Sequence, residues 1–201
     1  MPRRSWKESG RAFVAPVGRG IAAAGISADA VTITGLLFAA GCGMFLAVGE
    51  GRIAAVFLVA SALCDLLDGA VARARGGGTS FGAALDSTVD RYGEALILGG
   101  VLIDATVRGA EAGLLWLWIA ALSGSFLTSY VRARAEGLGL RCDVGLMERP
   151  HRLVLLGILC LLGPPAVPVL LGVLAVGSHI TFVQRLLLIR REGRSGRPAG
   201  G

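Results

Sequence analysis

The sequence has few charged residues, two histidines and no paired-cysteine motif, and each shortage excludes a class of protein. Only 17% of the 201 residues are charged, whereas 54% are hydrophobic, so the composition is far from that of an ordinary soluble domain. The four cysteines contain no CxxC pair, and no histidine stands at metal-ligand spacing. The sequence therefore supports neither a zinc site nor a disulfide framework, and we interpret the chain as an integral membrane protein.

Apolar segments recur along the chain, and most approach the roughly 20 residues that a transmembrane helix requires. The six predicted spans are 32–49, 53–72, 83–104, 113–131, 152–163 and 168–189. Residues 1–25 mix basic, aromatic and small apolar side chains, which is typical of a helix lying in the membrane interface. We therefore expect an all-α integral membrane fold of six transmembrane helices preceded by an N-terminal interfacial helix, in a single domain over residues 1–201.

Basic residues are concentrated at one set of membrane edges. They occur before the first span, in the tail 190–201 and in alternate polar breaks, whereas the opposite breaks hold only Arg52 and Arg108. By the positive-inside rule, both termini and a site on that side are cytoplasmic, and we expect a multi-pass protein of the plasma membrane. Topology and attraction to anionic lipids account for the net charge of +6, so no nucleic-acid partner is expected.

Four aspartates stand in segments otherwise apolar enough to cross a membrane. From Asp65 to Asp90 the sequence reads DLLDGAVARARGGGTSFGAALDSTVD, and isolated charges at that depth are costly. Asp65 and Asp68 fall within roughly a 100° arc of one helix, and Asp86 and Asp90 do the same on the next helix. Two facing acidic stripes supply the hard oxygen ligands that divalent cations prefer.

Acids inside a membrane have other roles as well. They can form a proton relay, bind a transported cation, or pair with arginines such as Arg73 and Arg91. Spacings of three and four residues argue against simple pairing. The composition by itself leaves an enzyme and a cation or proton transporter open.

The spacing of these acids, with the glycine, alanine and arginine between them, resembles at every defining position the signature of the CDP-alcohol phosphotransferases. These membrane enzymes move a phosphatidyl-type group from a CDP-linked lipid onto an alcohol. The resemblance implies a six-helix homodimer whose cytoplasmic site binds divalent metal, Mg²⁺ or alternatively Mn²⁺, with two ions per site. It implies that Asp65, Asp68 and Asp86 are metal ligands, and that Asp90 shares the metal site and acts as the general base.

The same resemblance implies which residues hold the CDP group of the lipid. The matching positions are Gly69, Arg73 and Thr79, together with Asp29, Ala30, Val31 and Thr32. The sequence departs from the pattern at Ala28-Asp29, where many members have Pro-Asn. We expect the lipid tails of the donor to enter laterally from the membrane lipids.

The acceptor is predicted from segments outside this signature. Segments 129–136 and 145–152, with Val183-Gln184-Arg185, resemble the branch of the family whose acceptor is inositol phosphate. In that branch a basic pocket binds the acceptor phosphate, and the matching positions are Arg132, Arg152 and Arg185. Arg132 replaces the usual lysine, which keeps the charge but exchanges a point cation for a bidentate fork. A histidine also stands at 151, where an acid is common.

The expected reaction is phosphatidyl transfer from CDP-diacylglycerol to inositol phosphate, which gives phosphatidylinositol phosphate and CMP. One alternative keeps the chemistry and takes glycerol 3-phosphate or another polar alcohol as the acceptor. An alternative of a different class is a cation or proton transporter built around the same acids.

Overall fold

The computed structural model describes residues 6–194, with side chains described for residues 14–193. Every regular element in that range is helical. The α-helices are α1 (Trp6–Ala23), α2 (Ala28–Ala47), α3 (Gly51–Ala74), α4 (Ser80–Val107), α5 (Ala112–Gly137), α6 (Arg149–Leu162) and α7 (Val167–Arg194), with a short 3₁₀ turn at Pro164–Ala166 before α7. The outer ends of the predicted interfacial segment and of the basic tail, residues 1–5 and 195–201, lie outside the described residues.

The predicted all-α membrane fold agrees with these helices, and each predicted span coincides with one of them. Among the described residues, four segments are long and apolar enough to cross a membrane: α2, α3, α5 and residues 164–193 around α7. Helix α4 is long but carries five charged residues. Helix α6 has 14 residues, about 21 Å at 1.5 Å per residue, which is shorter than a bilayer core. The count of six spans and the interfacial position of α1 therefore stay predictions.

Two local signals in the sequence set the ends of the helices around the acidic motif. Ser27 caps α2, since its side chain accepts a hydrogen bond from the backbone N–H of Ala30, as an N-cap serine does. Helices α3 and α4 are joined by a glycine-rich turn in which Gly76 and Gly77 have φ values of 96° and 124°. Glycine adopts this region without a steric penalty, so the chain can reverse tightly between the two acidic helices.

The chain divides into two compact units, residues 1–100 and residues 101–201. In the first unit, α3 packs against both α1 and α2. The Phe57 ring lies with its centroid 5.9 Å from that of Phe38 and 5.0 Å from that of Phe45. These aromatic contacts join α2 to α3, the helix that carries the first two aspartates.

Helices α2 and α4 approach each other closely through glycines. A Cβ atom added to Gly100 would overlap the backbone of Gly43, and one added to Gly43 would overlap the carbonyl oxygen of Leu96. Small residues allow helix backbones in a membrane to come this close. The approach positions α4 beside α2 and with it the second pair of aspartates.

We expect Gly100→Ala to destabilise the protein by about 1–3 kcal/mol, the usual range for overpacking, because the methyl group forces α2 and α4 apart. Thermal unfolding of the purified protein in detergent measures the effect. Gly99→Ala is the matched control, since a Cβ there meets nothing within 4 Å. Equal loss of stability in both variants would contradict the close approach.

In the second unit, α5 packs against α7 through small and hydroxyl-bearing residues. A Cβ on Gly124 would lie 2.7 Å from the Nδ1 atom of His179 and 3.1 Å from the Cβ of Ser178. The buried Thr128 hydroxyl donates to the Ser178 carbonyl oxygen over 2.9 Å. Close packing with interhelical hydrogen bonds is how helices associate where water is absent.

Candidate functional site

Three of the four aspartates come together between α3 and α4. Carboxylate oxygens of Asp65, Asp68 and Asp86 lie within 4.8 Å of one another. Asp68 is buried, with 8% of its surface exposed, while Asp65 and Asp86 are partly buried. Three carboxylates so close repel each other unless a cation lies among them. The arrangement fits a divalent cation with oxygen ligands.

Helix α2 contributes a hydrogen bond that orients one of these carboxylates. The Thr32 hydroxyl lies 2.8 Å from Oδ2 of Asp68 and donates to it, and both side chains are buried. A hydrogen bond to a metal-ligating carboxylate fixes its rotamer. Thr32 was predicted as a CDP-binding residue, and the structure shows that it also supports Asp68.

A cavity of about 360 Å³ opens next to the acidic cluster. Its lining includes Asp68 and Asp86, so a ligand in the cavity reaches the carboxylates directly. The other lining residues are small, polar or basic: Ser27, Ala28, Asp29, Thr32, Gly69, Ala72, Arg75, Gly77, Gly78, Thr79, Gly82 and Ala83. The volume lies within the range of small-molecule sites, and the backbone of the glycine-rich turn is open to a ligand.

Most of the predicted CDP-binding positions border this cavity, whereas others lie away from its wall. Asp29, Thr32, Gly69 and Thr79 line it, whereas Val31 is buried in the core. Thr79 Oγ1 also accepts a hydrogen bond from the Gly82 N–H over 2.9 Å, which caps the start of α4.

The basic residue on the cavity wall is Arg75, among the residues that the structure describes there. Arg73 is exposed, and its Nη1 atom lies 3.2 Å from the position of a Cβ on Gly69. In the sequence Arg75 is one of the basic residues in the polar breaks that membrane topology explains. Its place directly before three glycines was the signal that it borders a ligand site.

Asp90 lies one turn beyond Asp86 on α4 and is partly buried. In the described part of the chain, the group of three close carboxylates does not include it. The double assignment of Asp90 as ligand and base stays a prediction.

The three arginines predicted for the acceptor phosphate lie in the second unit. Arg152 and Arg185 are buried, with 4% and 3% of their surfaces exposed, whereas the Arg132 side chain is 44% exposed. The Arg185 guanidinium interacts electrostatically with those of Arg132 and Arg152. Neighbouring buried guanidinium groups are costly unless negative charge offsets them, and Glu148 acts in that direction on Arg185.

Arg185 also supports the loop between α5 and α6. Its Nε donates to the Val144 carbonyl oxygen over 2.9 Å, and Nη1 donates to that of Thr128 over 2.7 Å. Two further bonds join the loop to α7: Leu146 N–H to Gln184 Oε1 at 3.1 Å, and Met147 N–H to Thr181 Oγ1 at 2.8 Å. The loop is thus held on the helix that carries Arg185.

A buried thiol lies in the same loop. Cys142 is 2% exposed, and burial raises the pKa of its thiol, although the nearby Arg185 charge acts in the opposite direction. The thiol therefore stays protonated at neutral pH and is not a nucleophile there.

The sequence matches the family model described as CDP-alcohol phosphatidyltransferase over residues 26–187. It is similar to the phosphatidylinositol phosphate synthase of Mycobacterium marinum, with 39% identity over 184 residues, 87% of this chain and 78% of that protein. It is also similar to the archaetidylinositol phosphate synthase of Methanothermobacter thermautotrophicus, with 38% identity over 183 residues and 89% of each chain.

Solved structures agree with these matches. The phosphatidylinositol phosphate synthase of Mycobacterium tuberculosis with CDP-DAG bound superposes with a TM-score of 0.80 at 37% identity, covering 88% of this chain and 92% of that one. The same enzyme in complex with manganese and citrate gives a TM-score of 0.80, covering 88% of each chain.

Proposed function

Because the chain belongs to the CDP-alcohol phosphatidyltransferase family, we propose that it transfers the phosphatidyl group of CDP-diacylglycerol to inositol phosphate, releasing CMP. The observation that carries the proposal is the cluster of Asp65, Asp68 and Asp86 beside a cavity that extends to the glycine-rich turn. Family membership favours this enzyme over the cation or proton transporter. One relative is named a phosphatidylinositol phosphate synthase and the other an archaetidylinositol phosphate synthase, so the inositol phosphate part of the name is the same while the lipid part differs. This agreement supports inositol phosphate as the acceptor.

A divalent cation, Mg²⁺ or alternatively Mn²⁺, would be held by Asp65, Asp68, Asp86 and Asp90, with two ions per site. Divalent cations held there would supply positive charge for the pyrophosphate and for the departing CMP. The chemistry of the donor set fits, since all four ligands are carboxylates. The manganese complex of the mycobacterial enzyme supports a divalent metal.

The remaining steps belong to the chain's own groups. The predicted positions Asp29, Ala30, Val31, Thr32, Gly69, Arg73 and Thr79 would hold the CDP group. Asp29, Thr32, Gly69 and Thr79 border the cavity, and Arg75 is a further residue on its wall. Asp90 would accept the proton of the acceptor hydroxyl, because an alcohol is a weak nucleophile until that proton is removed. Thr32 keeps the Asp68 carboxylate oriented.

The acceptor phosphate would bind Arg132, Arg152 and Arg185. Within the described residues, the two hydrogen bonds of Arg185 use two of its five N–H groups. The remaining donors of that guanidinium suit a phosphate, which accepts several charge-assisted hydrogen bonds.

We further infer that the protein is a homodimer of the plasma membrane, with six spans, an interfacial α1, and cytoplasmic termini and active site. The basic residues on one set of membrane edges support this orientation. One transferase domain over residues 1–201 is the simplest organisation.

Acceptor identity is tested by CMP release from CDP-diacylglycerol and Mg²⁺ with the purified protein. We expect turnover with inositol phosphate and none with glycerol 3-phosphate or with unphosphorylated inositol, because the arginine cluster requires a phosphate and the segments around it resemble the inositol phosphate branch. Activity with glycerol 3-phosphate alone would contradict the proposed acceptor. Ion flux through proteoliposomes without CMP release would contradict the enzyme.

Arg152→Ala is expected to raise the KM for inositol phosphate roughly 10- to 150-fold, the value of a charge-assisted hydrogen bond. The KM for CDP-diacylglycerol should change little, because the pyrophosphate is bound by other residues. Steady-state kinetics with each substrate varied in turn measures both constants. Arg134→Gln, an exposed position on α5, is the control, and equal effects of Arg152→Ala on the two KM values would disprove the pocket.

A further inference from the structure

Arg132 is bound by two carboxylates. Its Nε atom lies 2.9 Å from Oε1 of Glu136, one turn further along α5, and its Nη2 atom lies 3.5 Å from Oδ1 of Asp143 in the following loop. Arg185, by contrast, donates to backbone carbonyl oxygens. The most exposed of the three arginines is thus held by two acids.

Both acids are accessible to water. The Glu136 side chain is 56% exposed and the Asp143 side chain 79% exposed. Because both carboxylates are already largely in water, breaking either ion pair with Arg132 costs little free energy, and another anion can take its place. Asp143 is nevertheless kept near Arg132, because the residues that follow it are held on α7 by Arg185, Gln184 and Thr181.

A phosphate monoester is a better partner for Arg132 than either acid. It carries more charge than one carboxylate, and it accepts a bidentate pair of hydrogen bonds from a guanidinium. It must nonetheless displace Glu136 and approach two negative charges. Only the fraction of Arg132 that is not paired with these acids is available to the phosphate, so the apparent affinity for the phosphate is reduced in proportion to that fraction.

We propose that Glu136 and Asp143 compete with the acceptor phosphate for Arg132 and thereby set the affinity and selectivity of the acceptor site. A neutral alcohol cannot displace the two carboxylates, whereas a phosphorylated one can. The proposal rests on the proposed function, since it takes Arg132 to be part of the acceptor site.

The test uses steady-state kinetics of full-length Glu136→Gln, Asp143→Asn and the double variant. Glu136→Gln should lower the KM for inositol phosphate roughly two- to fivefold, the range for one exposed ion pair, with a smaller effect for Asp143→Asn, whose contact is longer. Inorganic phosphate should inhibit these variants at correspondingly lower concentrations. The KM for CDP-diacylglycerol should stay constant.

Two controls separate competition from general charge effects. Asp104→Asn removes an acid from a comparable pair, Arg108–Asp104 at 2.9 Å, and should change neither KM. In an Arg132→Ala background, Glu136→Gln should have no effect on the acceptor KM. An unchanged or increased acceptor KM in Glu136→Gln would overturn the proposal, since an increase means that Glu136 positions Arg132 for the phosphate.

Failure of the proposed function is distinguishable from failure of this inference. If the wild-type protein turned over only glycerol 3-phosphate, the proposed acceptor would be wrong, yet that acceptor and inorganic phosphate would still report on competition at Arg132. If inositol phosphate is the acceptor and Glu136→Gln leaves both phosphate measurements unchanged, only the competition is wrong.

Discussion

Asp68→Asn is expected to lower the rate of CMP release about a thousandfold or more. Asp68 is the most buried of the three close aspartates, and one of its carboxylate oxygens lies within 4.8 Å of a carboxylate oxygen of each of the other two. Metal ions stabilise developing charge by several kcal/mol, and each 1.4 kcal/mol or so is a factor of ten in rate. The amide keeps the size of the side chain but removes the negative charge that a divalent cation needs.

The measurements are CMP release and titration of Mn²⁺ by electron paramagnetic resonance on the same purified sample. Activity and Mn²⁺ affinity should fall together, while thermal unfolding shows that the protein remains folded. Asp104→Asn, an acid on the same helix as Asp86 and paired with Arg108, is the control. Full activity in Asp68→Asn would exclude the aspartate cluster as the metal site.

Asp90→Asn is expected to lower kcat by roughly 10²- to 10⁴-fold, the contribution of a general base. Unlike Asp68, Asp90 lies outside the group of three close carboxylates in the described residues. We therefore expect its loss to affect proton removal from the acceptor more than metal binding. Mn²⁺ affinity should change less than in Asp68→Asn, and the KM for CDP-diacylglycerol should stay near the wild-type value.

The comparison of the two variants separates the two roles that the sequence assigns to Asp90. A loss of Mn²⁺ affinity as large as that of Asp68→Asn would make Asp90 principally a ligand. Retention of kcat would rule it out as the base, and the proton acceptor would have to be sought among other groups at the site.

The helices could be predicted from the sequence because their central segments are apolar. The residues at which they end could not be predicted in this way. Helix α5 continues to Gly137, beyond the predicted end at residue 131, since an apolar window stops where Arg132 begins. The helix continues because its exposed polar residues form bonds along its own surface, as Arg132 does with Glu136. A hydropathy pattern detects burial in lipid, whereas a helix is defined by its backbone hydrogen bonds.

The candidate site was predictable where its residues share a helix face. The spacings between Asp65 and Asp68 and between Asp86 and Asp90 match the 3.6 residues per turn of an α-helix. The two acidic stripes could therefore be predicted from the sequence. The sequence assigns Arg73 to the donor site and does not single out Arg75, and this omission shows the limit of the reasoning. Helix α3 ends at Ala74, and the exposed turn after it directs Arg75 to the cavity wall.

The sequence by itself determined the membrane character, the acidic faces and the family of the protein, because composition and spacing along a helix are local properties. Only the tertiary structure decided that Thr32 of α2 bonds to Asp68 and that Asp143 reaches Arg132. Contacts between residues distant in the chain depend on how helices and loops pack, and no periodicity records that packing. The acceptor site depends most on such contacts, and its selectivity is therefore where the structure adds most.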